Sequence, residues 1–149
     1  MSLNYHVLVQ GYVRERLTQL DREIESLRAS QAGDTKSSAG DKFETSREML
    51  QQQLDQLEAM RAVQSDHLLA LELAARERPS DRIQLGSIVA LSDGRTYLLA
   101  TGLGKVKLAD AETLFVISPG SPLGKSIYGL REGDACQLRG QQLQVTSVR

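Results

Sequence analysis

The chain has 149 residues and a formal net charge of -1, with 40% hydrophobic and 25% charged residues, a composition that excludes a disordered chain. No apolar run approaches the roughly 18 residues that span a bilayer, and no basic leader precedes an apolar block, so we expect a cytoplasmic protein without membrane contact. Residues 1–78 carry 10 Lys or Arg against 13 Asp or Glu, and residues 79–149 carry 8 against 6, which does not favour sequence-specific binding to duplex DNA.

The first segment, from Leu8 to Leu27, has the apolar spacing of a coiled-coil helix. Its apolar residues follow one another at intervals of 4, 3, 4 and 3, and charged side chains occupy the other faces. These seam residues are Val13, Leu17, Leu20, Ile24 and Leu27.

A second helical segment is predicted from Asp41 to Arg78, with Leu50, Leu54 and Leu57 on one seam. Because a short polar stretch joins the two segments, they are predicted to pair as an antiparallel hairpin over residues 1–78, with a polar tip at residues 30–44. The alternative is that the seam pairs with a second chain. The short connection favours pairing within one chain and therefore a monomer.

The tip carries two acidic residues three positions apart, Asp41 and Glu44. On spacing alone, this is the pattern of a capping box, in which both carboxylates bind backbone amides at the start of a helix. Thr45 and Glu48 offer a second capping box one turn later. Side chains at i and i+3 also share one side of a helix, so both carboxylates can face the same ligand.

Pro79 ends the helical pattern, and residues 79–149 form the predicted second domain. Short apolar or alternating runs separated by turn residues predict a small antiparallel β-sheet with one short helix, and the whole chain is therefore α+β. The predicted strands cover residues 87–91, 96–100, 106–108, 113–117, 135–138 and 142–148, and the predicted helix covers residues 123–130.

Three features that resemble sites are assigned structural roles. Cys136 is the single cysteine, in an alternating run that is typical of a buried strand residue. His6 and His67 are the only histidines and are too far from Cys136 in sequence to suggest a zinc site. The run Gly102-Leu103-Gly104-Lys105 lacks the spacing of a phosphate loop and is predicted to be a hairpin turn.

Two motifs carry a resemblance to a known family. Residues 118–129, SPGSPLGKSIYG, are followed by Glu132-Gly133-Asp134. They resemble the C-terminal signature of the bacterial Gre transcript cleavage factors, a transcription elongation family. There, a Ser-Pro pair, an aliphatic residue and a small residue lead into an apolar helix and then Gly-Asp. Residues 40–44, GDKFE, are similar to the tip motif of the same family.

This resemblance implies a coiled-coil hairpin followed by a Gre-like C-terminal domain of FKBP-like fold. The hairpin would enter the secondary channel of RNA polymerase, and Asp41 and Glu44 would share a Mg²⁺ ion with the polymerase during cleavage of backtracked transcript RNA. Carboxylate oxygens suit that ion, and two-metal sites stabilise both the attacking and leaving oxygens. The chain would then be an accessory factor with no cofactor of its own, rather than an enzyme. The residues implied in partner binding are Ser118, Ser121, Pro122, Leu123 and Gly124.

Residues 45–48, TSRE, depart from the family pattern, in which Asn, a small residue, an acidic residue and an aromatic follow the tip glutamate. One alternative is therefore a polymerase regulator of the same fold that does not stimulate cleavage. Another is a coiled-coil scaffold or adaptor. Prolyl isomerase activity would also follow from an FKBP-like fold, but the aromatic residues of the domain, Tyr97, Phe115 and Tyr128, are few for such a pocket.

Overall fold

The computed structural model describes residues 4–34, 40–108 and 112–149, with side chains throughout except at 34 and 40–43. Two long helices come first, α1 (Tyr5–Asp34) and α2 (Gly40–Ala75), and a sheet with one short helix follows, which confirms the predicted α+β class. The remaining elements are β1 (Ile88–Leu91), β2 (Thr96–Leu99), β3 (Gly104–Lys107), β4 (Thr113–Ile117), α3 (Pro122–Ile127), β5 (Ala135–Leu138) and β6 (Gln141–Val148). In the described ranges, no helix combines the length and apolarity needed to cross a membrane.

The helices divide between two compact units, and the hairpin unit is Val13–Asp66. Within it, α1 and α2 run antiparallel, because residues early in α1 bond to residues late in α2. Gln31 bonds to Gln51, Arg28 to Glu58, and Asp21 to Arg61. The seam residues Leu20, Ile24 and Leu54 are buried, as the coiled-coil spacing predicts. The predicted antiparallel hairpin is therefore confirmed.

The ends of the two helices differ from the prediction by several residues. Helix α1 continues to Asp34, although the predicted first segment ends at Leu27 and the predicted tip begins at residue 30. Helix α2 begins at Gly40, inside the predicted tip, and ends at Ala75. Exposed residues such as Ser30 still belong to α1, since backbone hydrogen bonds can extend a helix beyond the end of its apolar seam. Residues 35–39 of the predicted tip lie outside the described residues.

The sheet has six strands in the order β3-β4-β2-β1-β6-β5. The strands agree with the predicted runs to within two residues, but one pairing, β2 with β4, is parallel, so the sheet is mixed. Strand β3 follows β2 in sequence but lies at the edge of the sheet, and β4 pairs with both of them. The prediction of a hairpin turn at residues 102–105 is therefore wrong, since β2 and β3 are not neighbours.

The second compact unit joins the described residues up to Tyr12 with His67–Arg149, so it contains the outer ends of both helices as well as the sheet. Three polar contacts fasten these helix ends. His67 Nδ1 lies 2.8 Å from Thr101 Oγ1, His6 Nε2 donates to the Gly86 carbonyl oxygen at 3.0 Å, and Tyr5 donates to Glu112 at 2.9 Å. The division at residues 78 and 79 stays a prediction.

One face of the sheet packs against α3. Tyr97 and Leu99 of β2 point to this face, whereas Leu98 between them points to the other face and is also fully buried. Because both faces of β2 are buried, its sequence is a continuous apolar run. The core on the α3 face contains Ile83, Val89, Leu91, Tyr97, Leu99, Leu123, Ile127, Cys136, Leu143 and Val145.

Candidate functional site

The Ser-Pro motif forms the start of helix α3. Ser121 is the N-cap, and its Oγ accepts a hydrogen bond from the Gly124 amide at 3.0 Å while donating to the Ser118 carbonyl at 2.7 Å. Pro122 occupies the first turn, where a missing amide hydrogen costs nothing. The serine, proline and glycine positions of the motif are thus explained by one helix start.

Gly124 is buried against the loop that precedes the helix. A Cβ atom there would overlap the Ser118 carbonyl oxygen and lie 2.9 Å from Ser121 Oγ. The two residues on the inner side of the helix, Leu123 and Ile127, belong to the sheet core. Only glycine lets the loop and helix pack this closely.

The chain after α3 is equally constrained. The Gly129 amide donates to the Ile83 carbonyl at 2.7 Å. Gly133 has a φ of 94°, and Asp134 Oδ2 accepts a hydrogen bond from the Arg131 amide at 2.8 Å. The Gly-Asp part of the motif therefore forms a tight turn that needs a left-handed residue followed by a carboxylate.

The solvent-facing side of α3 carries Pro122, which the sequence analysis selected, together with Lys125 and Tyr128, which it did not. Pro122 and Lys125 are exposed, and Tyr128, which caps the C-terminal end of the helix, is 56% exposed. Pro122 and Lys125 are three positions apart and share one side of the helix, and Tyr128 follows directly after the last helical residue. The sequence signal that could have identified these residues is their alternation with the apolar residues Leu123 and Ile127. We call Pro122, Lys125 and Tyr128 the α3 surface.

The five residues predicted to bind a partner are brought together, but most of them face inwards. Ser118 and Ser121 are half-buried and bond to the helix start, and Leu123 and Gly124 are buried. Pro122 alone among them is exposed. These residues therefore shape the loop and the helix start, and their role in partner binding stays a prediction. The accessible side chains belong to the α3 surface.

The tip residues fall in the other compact unit. Glu44 is exposed in the first turns of α2, and Asp41 belongs to the same helix, but its side chain lies outside the described residues. Among the side chains that the structure describes, no group of three or more His, Cys, Asp or Glu could hold a metal ion. The shared Mg²⁺ site at Asp41 and Glu44 stays a prediction.

Two shifted pKa values mark the interior of the sheet unit. Burial and the hydrogen bond that Tyr97 donates to Asp93 at 2.8 Å raise the pKa of Tyr97 to about 12. Burial, with a smaller effect from Asp93, also raises the pKa of the Cys136 thiol. A buried thiol that holds its proton is a poor nucleophile or metal ligand, which agrees with the structural role assigned to Cys136.

The fold and motif define a class: an α+β chain in which an antiparallel helical hairpin precedes a mixed sheet with one capped helix. No family model matches the chain, and no curated protein matches it. One similar solved structure is described as "Structure of the transcription factor Gfh1", with 20% identity, coverage of 93% of this chain and 92% of that chain, and a TM-score of 0.36. A likeness at this level carries no argument about function.

Proposed function

We propose that this chain is a transcription factor that binds RNA polymerase and inserts its helical hairpin into the secondary channel. The observation that carries the proposal is the Gre-like motif of residues 118–134, which forms a capped helix with an accessible side, in a chain whose hairpin bears a second Gre-like motif. The proposed site of action is the cytoplasm, with indirect contact to transcript RNA.

The hairpin unit has the form that such an insertion needs. From Val13 to Asp34, α1 rises about 1.5 Å per residue and so extends about 33 Å. Glu44 lies near the start of α2 and therefore at the end of the unit opposite Val13 and Asp66. Ion pairs join the two helices between Arg28 and Glu58 and between Arg61 and Asp21.

In the proposed mechanism, the α3 surface docks on the polymerase, and the hairpin delivers Asp41 and Glu44 to the polymerase active site. Both carboxylates would then ligate a Mg²⁺ ion whose other ligands come from the polymerase and water. Mg²⁺ keeps several waters and needs near-octahedral oxygen coordination, so two carboxylates alone bind it weakly. The chain is therefore an accessory factor, and cleavage requires the polymerase.

A second candidate function is a polymerase regulator of similar architecture that does not stimulate cleavage. It is favoured by residues 45–48, TSRE, which differ from the pattern of the cleavage factors directly after the acidic pair. Both candidates share the docking step and differ only at the tip.

The docking step is tested by co-purification of RNA polymerase with the full chain. The double variant Lys125→Glu/Tyr128→Ala should lose binding, because it changes exposed groups and leaves the buried core of α3 intact. Arg78→Glu is a matched control on another surface of the same compact unit. Failure of the wild-type chain to bind polymerase would refute the proposal, and a stable dimer in light scattering would favour a scaffold.

The tip is tested by transcript cleavage on backtracked complexes. If the chain is a cleavage factor, Asp41→Ala and Glu44→Ala should abolish stimulation without weakening polymerase binding. Asp55→Ala removes an exposed acid from the same helix outside the tip and should leave cleavage unchanged. A wild-type chain that binds polymerase and never stimulates cleavage establishes the second candidate instead.

A further inference from the structure

The two outer strands of the sheet differ in how their free edges are covered. Strand β5 is covered by α3, because Ser126 Oγ donates to the Gln137 carbonyl at 3.1 Å and accepts from the Gln137 amide at 3.4 Å. Strand β3, at the opposite edge, has no comparable cover among the described residues. An uncovered edge presents backbone donors and acceptors that can pair with another strand.

The hydrogen-bond register shows which β3 groups point outwards. The Leu108 amide donates to the Glu112 carbonyl at 2.7 Å, and this pair continues the β3–β4 register. In antiparallel strands, hydrogen-bonded residue pairs alternate with non-hydrogen-bonded pairs. Val106, two positions before Leu108, is therefore hydrogen-bonded to β4, whereas Lys105 and Lys107 direct their N–H and C=O groups away from it. The side chains alternate between the two faces of the sheet with the same period: Val106 is 1% exposed, and both lysines are exposed.

The charge beside this edge is positive. Lys105 and Lys107 lie on one face of β3, opposite Val106, and Lys105 is directly across from Phe115. The guanidinium carbon of Arg95 lies 5.0 Å from the centre of the Phe115 ring, on the same part of the sheet. Two described acids near these strands already accept hydroxyl groups: Glu112, across from Leu108, accepts the Tyr5 hydroxyl at 2.9 Å, and Asp93 accepts the Tyr97 hydroxyl.

We propose that the β3 edge binds an extended acidic segment of a partner protein as a seventh strand. Backbone bonds would form with the outward groups of Lys105 and Lys107, and acidic side chains at alternate positions of the segment would lie opposite the two lysines. Successive same-face residues are about 6.6 Å apart on both strands, so an acidic residue at every second position matches them. This surface is separate from the tip and the α3 surface.

The same lysines disfavour a second copy of the chain as the occupant. Pairing β3 with the β3 strand of another copy would place like charges across from one another, which destabilises antiparallel pairs. Edge lysines are a common means of preventing such self-association. An acidic segment turns that repulsion into attraction, and this is why the charge selects a partner of opposite sign.

The test uses the full-length chain, labelled with ¹⁵N, and the acetylated and amidated peptide TVEVEVT. We expect saturable shifts of the Lys105 and Lys107 amide resonances as the peptide is added. The double variant Lys105→Glu/Lys107→Glu should bind at least about 4-fold more weakly, because two attractive cross-strand pairs become repulsive. Arg22→Glu, an equal change of one exposed cation on α1, should bind as the wild type does.

A peptide of the same charge, N-methylated on the amides of one edge, separates strand pairing from simple charge attraction. It should lose binding when the methyl groups face β3 and retain it when the opposite edge is methylated. Because this change is in the peptide, it cannot unfold the protein. Equal binding of both methylated peptides, the absence of binding, or light-scattering dimers disrupted by Lys105→Glu would each overturn the proposal.

Discussion

The substitution Gly124→Ala tests whether the motif acts through the shape of the α3 start. The new Cβ would overlap the Ser118 carbonyl oxygen and lie 2.9 Å from Ser121 Oγ and 3.0 Å from the Pro119 carbonyl oxygen. Two of these three neighbours are backbone atoms, which cannot move aside without shifting the loop. The helix start must therefore move or the cap must break.

The free energy of unfolding should fall by about 2 kcal/mol. Overpacking a tight site typically costs about 1–3 kcal/mol, and a weakened Ser121 cap costs about 0.5–2 kcal/mol more. The better helix propensity of alanine returns about 0.5–1 kcal/mol.

Urea unfolding followed by circular dichroism measures this change, and Gly120→Ala is the matched control because nothing lies within 4 Å of its added Cβ. If Gly124→Ala were as stable as Gly120→Ala, the packing argument would be wrong. Weakened polymerase binding by Gly124→Ala in a chain that remains folded would connect the loop shape to the proposed docking step.

Three further predictions concern the interior. Because the pKa of Tyr97 is raised from 10.0 to about 12, its neutral form stabilises the fold fully below pH 10, and this contribution, about 1–2 kcal/mol, is lost as the pH rises through 12. Tyr97→Phe should flatten the alkaline fall in unfolding free energy, whereas Tyr128→Phe should not. In the hairpin, Leu54→Ala should cost about 2–4 kcal/mol in urea unfolding and Arg61→Ala less than about 1, because the first opens the seam and the second removes an exposed ion pair; equal costs would contradict this. Gly86→Ala should lower the melting temperature, since Gly86 has a φ of 89° and an added Cβ would overlap a helix carbonyl; an unchanged melting temperature would refute it.

Local patterns predicted the elements of this fold well. The 4-3-4-3 spacing identified the hairpin, and the strand at residues 113–117 agrees with β4 residue for residue. These features follow from side-chain periodicity within one element, which the sequence displays directly.

Features that depend on distant pairing were not predicted. The parallel pairing of β2 with β4 places Tyr97 beside Phe115, and no local signal states that β3 passes to the edge first. The same limit applied to the site. The motif identified the right segment, but only the packing of Leu123 and Ile127 shows that Lys125 and Tyr128 are the accessible residues.

The route of the chain has a consequence for the order of folding. The helical hairpin is an insertion into the sheet unit, because the chain leaves that unit after Tyr12 and returns at His67. The contacts of the N-terminal segment are therefore made late in synthesis: the partner of His6 is 80 residues away, and that of Tyr5 is 107 residues away. A hairpin formed early by local contacts brings the two helix ends together and removes much of the loop-closure entropy that these contacts would otherwise cost. The hairpin that we propose to enter the polymerase thus also lowers the entropic cost of completing the sheet unit.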